Sequence, residues 1–70
     1  MEKSFDRLEY LLSEELFFLR SGFSTAMLCR EAGGDEADFD DYLMRNFGIT
    51  LRDMVLLYAE TYFRGVLDGK

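Results

Sequence analysis

The sequence has no proline, no histidine and a single cysteine. Without proline, nothing inside a helical stretch forces it to stop. The six glycines must therefore do most of the punctuating, and they fall mostly at segment boundaries, as in helices joined by short turns. A lone cysteine cannot close an internal disulfide, and without histidine there is neither a partner for a mixed zinc site nor a base to activate a thiol. Cys29 reads as a small buried hydrophobe. Long apolar runs are missing too. The longest, Met54 to Ala59, is far short of the ~20 residues that cross a bilayer, and the opening MEKSFDRLEY scatters charges where a signal peptide carries an unbroken apolar core. We expect a cytoplasmic chain with no membrane contact.

What is present is a folded composition. Of 70 residues, 49% are apolar and 16% aromatic, which separates the chain from disordered acidic tails. That length supports one domain with one core, so every apolar face has to be used. The expected architecture is all-α, a compact single domain of four helices over residues 4–20, 24–32, 35–46 and 50–68. The net charge of −6 disfavours polyanions and anionic membranes, because approach begins with long-range repulsion.

Helical spacing assigns the faces. In the first helix, Ser4 is the expected N-cap, with Phe5, Leu8, Leu12, Leu16 and Leu19 on one stripe. Tyr10 with Phe17, and Leu11 with Phe18, lie off that stripe, serving either a broad core contact or a partner surface. Ser24 caps the second helix and Phe23 is placed to staple against Leu28. Asp35 is the expected cap of the third, with Phe39, Tyr42, Leu43 and Phe47 inward and Glu36, Asp38, Asp40, Asp41 and Arg45 toward solvent. Thr50 caps the last, Asp53 completes a capping box, and Ile49 reaches Met54. The last helix has a main stripe of Leu51, Val55, Tyr58, Ala59, Tyr62 and Val66. Leu56, Phe63 and Leu67 form a second stripe some 100° away on the wheel, more apolar surface than a terminal helix usually needs.

The third helix carries the unusual chemistry. Glu31, Asp35, Glu36, Asp38, Asp40 and Asp41 fall within eleven positions with no base among them. The helix dipole favours Asp35, Glu36 and Asp38, but Asp40 and Asp41 lie beyond its reach. DEADFDD lacks the glycine bend and closing glutamate of an EF-hand loop, so no metal is inferred. Paired carboxylates alone, without histidine or an activated nucleophile, do not make an enzyme, and no cofactor or small-molecule substrate is implied.

The order of elements is that of a helix-turn-helix with flanking helices, and the wording is more specific. From Glu14 to Leu67 the chain resembles the N-terminal half of the AraC/XylS-type DNA-binding domain. The resemblance is carried by Phe17-Phe18 before a turn, Phe23-Ser24 opening a helix, LCREAG at Leu28 to Gly33, FGIT at Phe47 to Thr50, and the tail RDMVLLYAETYFRGVL, which looks like the family's long linker helix. It implies a homeodomain-like helix-turn-helix in a transcriptional regulator, with Glu36, Ala37, Asp38, Asp41 and Arg45 on the recognition helix and Arg30 and Arg52 flanking it. Such domains normally hold a second helix-turn-helix after the linker helix, which the resemblance does not reach. This sequence also has Tyr58-Ala59 where the family has tyrosine and arginine.

Two readings follow. In one, the chain binds DNA through residues 36–45, as a dimer. Phosphate neutralisation supplies most affinity for DNA, and acids read little besides cytosine, so the six nearby carboxylates oppose this reading. In the other, the fold serves protein interaction or homodimerisation through Leu56, Phe63, Leu67, Tyr10 and Phe17, and the acidic helix faces a basic protein surface or mimics DNA.

Overall fold

The computed structural model describes residues 2–68. It is all-α: α1 spans Glu2–Ser13, α2 Thr25–Ala32, α3 Glu36–Phe47 and α4 Leu51–Asp68, with a short 3-10 turn at Phe17–Leu19. All four helices contribute to one core, made of Leu8, Leu11 and Leu12 from α1, Leu28, Cys29 and Ala32 from α2, Phe39 and Leu43 from α3, and Leu51, Met54 and Val55 from α4, closed by Phe17.

The first helix is shorter than the sequence predicts. It begins before Ser4, so that residue is no cap; its hydroxyl instead donates to the Gly33 carbonyl, 3.3 Å away. It ends at Ser13, whose hydroxyl donates to the Glu9 carbonyl at 2.8 Å, while the Glu14 and Glu15 amides both converge on the Tyr10 carbonyl. Leu16 then adopts the left-handed conformation, φ 50°. That costs a leucine roughly 1–2 kcal/mol, and it redirects the chain so that Phe17 enters the core at 1% exposure. Burying a phenylalanine is worth about 1.5–3 kcal/mol, which offsets the strained residue. Phe23 meets the Phe17 ring edge-on at 6.1 Å, and the Arg20 guanidinium lies 4.3 Å from its centroid. Leu19, expected inside, is exposed.

Beyond that point the local signals hold. Ser24 Oγ accepts the Met27 amide, and α2 closes on Gly33 at φ 85°. The Gly34 amide reaches back to Cys29 and the Gly33 amide to Arg30, the paired bonds of a Schellman ending. A side chain at Gly34 would meet the Phe39 ring at 2.6 Å, so only glycine lets α2 turn this tightly into α3. Asp35 occupies the N-cap position of α3, but its side chain makes no capping bond. At α4 the capping box forms in both directions, the Thr50 amide to Asp53 and the Asp53 amide to Thr50 Oγ1.

On α4 only the first turns are fully buried, at Leu51, Met54 and Val55. Tyr58 and Tyr62 are half-buried, with Tyr62 held edge-on by Phe18 at 5.9 Å. Val66, expected on the inner stripe, lies past the end of the core and is exposed. The molecule is accordingly longer than it is thick, 37 × 25 × 19 Å. Among the described residues no helix is long and apolar enough to cross a membrane.

Candidate functional site

The acids of α3 divide into two sets that the sequence alone does not separate. Glu36, expected in solvent, is half-buried and accepts a hydrogen bond from Thr25 Oγ1 at 3.1 Å, joining the first turns of α2 and α3. Asp40, also expected in solvent, is half-buried and accepts the Leu51 amide at 2.7 Å. It caps α4 from a neighbouring helix. A carboxylate there satisfies an amide with no partner inside its own helix and lies at the positive end of the α4 dipole. Asp38 and Asp41, with Ala37, are exposed; the two aspartates are the acids of α3 that face solvent.

The candidate bases do not stand apart from these carboxylates. Arg45 pairs with Asp41 one helical turn away at 3.1 Å. Arg30 lines a shallow surface depression with Asp35 and Glu36. Arg52 lines another with Glu36 and Asp40. Arg45 is therefore paired within α3, and Arg30 and Arg52 each share a surface depression with acids of α3 or its approach. Buried beneath the first depression, the Cys29 thiol is pushed up to about 11, by desolvation first and then by Glu36, Asp40 and Asp35. It is a proton-bearing core side chain at neutral pH and not a nucleophile.

The apolar candidates separate as well. Phe17 is in the core and forms no partner surface, because α1 ends at Ser13 and the left-handed Leu16 turns the chain inward. Tyr10 is half exposed on α1. Leu56, Phe63 and Leu67 are exposed on the outer side of α4, at 56%, 50% and 84%. They line one groove along the helix with Ala59, Glu60 and Arg64. Leu57 and Val66 add to the exposed apolar surface of the same helix; sequence spacing placed neither in the outer row. A smaller apolar spot forms where Phe47, expected inside but 59% exposed, stacks on Phe5 at 6.1 Å. Met44, one turn before Phe47 on α3, is exposed too.

Fold and surface together define a small all-α domain with an acidic helix face and an exposed apolar row on its last helix. No protein-family model, curated protein or solved structure matches the chain.

Proposed function

We propose that this chain is a transcription-regulator-like protein of helix-turn-helix type, equivalent to the first half of an AraC-type DNA-binding domain, that works by protein association instead of reading DNA unaided. The turn Gly33-Gly34-Asp35 between α2 and α3 supports the helix-turn-helix part, as does the wording from Glu14 to Leu67. The association part is carried by one observation: the outer half of α4 leaves Leu56, Phe63 and Leu67 in water. Exposed apolar side chains in a contiguous row mark an interaction surface. Meanwhile α3, the helix that would enter a major groove, presents Asp38 and Asp41 and has its own arginine paired.

Selection from a pool of random duplex DNA at about 50 mM salt, where phosphate contacts are still strong, tests the reading. The expected result is no retention of any sequence by the protein alone. An enriched motif would establish a free-standing DNA reader and remove the association half of the proposal.

A further inference from the structure

The geometry points to a second copy of this chain as the occupant of the α4 groove: we propose that two α4 helices pair antiparallel about a two-fold axis passing between Thr61 and Tyr62. This rests on the association reading above and names its partner. The charge pattern selects the occupant. The acids are concentrated on and before α3, whereas residues 54–67 carry one acid, Glu60, and one base, Arg64. A basic partner would be drawn to α3; the stretch 54–67 of α4 has no net charge and is complementary to itself.

The register follows from helix geometry. Leu56, Ala59, Glu60, Phe63, Arg64 and Leu67 line one groove, and in an antiparallel pair centred between Thr61 and Tyr62 each of them faces another member of the same set. Leu56 lies opposite Leu67 of the other copy at both ends. The two Phe63 side chains meet near the two-fold, offset by about 4.5 Å along the helix direction at 1.5 Å per residue, within the range of aromatic contact. Beside each Phe63 the small Ala59 leaves room for the ring. Glu60 and Arg64 sit on the same edge of the apolar row. Antiparallel two-fold pairing brings like edges together, so Glu60 of one copy lies one residue's rise from Arg64 of the other. Parallel pairing would separate them. The ion pairs among the described residues are Arg20 with Glu15 and Arg45 with Asp41; neither Glu60 nor Arg64 takes part in them. The contact is small for a protein interface, which places association at high protein concentration.

Sedimentation velocity of the 70-residue chain from about 1 μM to about 1 mM tests this, since weak interfaces dissociate within that range. The wild type is expected to move from the 8.2 kDa monomer to twice that mass. Glu60→Arg places two bases on one edge and Arg64→Glu two acids, so each alone should weaken self-association at least ~10-fold by like-charge contact. An equimolar mixture of the two should recover the dimer as a heterodimer. Circular dichroism of each variant checks that it is folded. A wild type that stays monomeric at the highest concentration overturns the second-copy assignment. A mixture no better associated than either variant overturns the antiparallel register. Failure of the underlying association reading has a separate readout, an enriched DNA motif.

Discussion

Asp40 illustrates how little the identity of a residue says about its work. By sequence it is one more acid in a run of acids; in the fold it holds the first amide of α4, eleven positions away and across a glycine turn. Asp40→Ala should lower stability by about 1–2 kcal/mol in urea unfolding, the usual cost of losing a cap with its dipole contact. Asp41→Ala, which removes only an exposed i,i+4 pair, should cost no more than about 0.5 kcal/mol. Equal losses would show that Asp40 does not cap α4. Cys29 makes a second residue-scale prediction. Its thiol is raised from an ordinary 9.0 to about 11 in the fold, and the Tyr58 hydroxyl is also raised, by burial and then by Glu9. For such acids the unfolded chain loses its proton first. Between about pH 9 and 11 the native state holds more protons, and stability falls with rising pH. A Cys29→Ala variant should therefore lose less stability than the wild type across that window in chemical denaturation.

At the scale of elements, the boundaries that were legible are those written in local chemistry. Ser24, Gly33, Gly48 and the Thr50–Asp53 pair all lie within a few residues of the amides they cap or the turns they close, and each is where spacing and turn residues place it. The break after Ser13 was not legible, because LLSEELFFL is good helical sequence and nothing local demands a stop. What ends α1 is non-local: Phe17 is worth more in the core than on the outside of a longer helix, and Leu16 takes the strained backbone that puts it there. The same limit hid the roles of Glu36 and Asp40, whose partners belong to other helices. In the candidate surface, Leu56, Phe63 and Leu67 were readable from periodicity, whereas Val66 was not, since a helical wheel cannot show where along α4 the core ends. Phe17→Ala should cost about 3–5 kcal/mol, against a total of roughly 4–10 kcal/mol for a domain of this length. Urea denaturation should find the unfolding midpoint of that variant lowered accordingly, with the variant unfolded in water if the wild type lies at the low end of that range. A loss under 1 kcal/mol would mean that the turn at Phe17–Leu19 is not what closes the core.

For the whole molecule, charge decides between two uses of one scaffold. A net charge of −6 opposes the approach of DNA, and salt between 50 and 200 mM leaves that repulsion in force only within about 10 Å of contact. At contact range, each arginine on the α2 to α4 side shares its surroundings with a carboxylate. Both obstacles can be reduced without touching the core or the cap at Asp40, because Asp38 and Asp41 are exposed. Each reversal to arginine adds two charges, so Asp38→Arg with Asp41→Arg brings the chain from −6 to −2, and it also releases Arg45 from its ion pair. If α3 has the placement of a recognition helix, the double variant should bind random duplex DNA at about 50 mM salt where the wild type does not. That binding should disappear toward 200 mM, as expected when only a few phosphates are neutralised. Fluorescence anisotropy of a labelled duplex measures both. A double variant that remains folded yet gains no affinity would show that α3 does not present a DNA-facing surface at all. The helix-turn-helix part of the functional reading would then fall, and the groove on α4 would be the surface left to explain the chain.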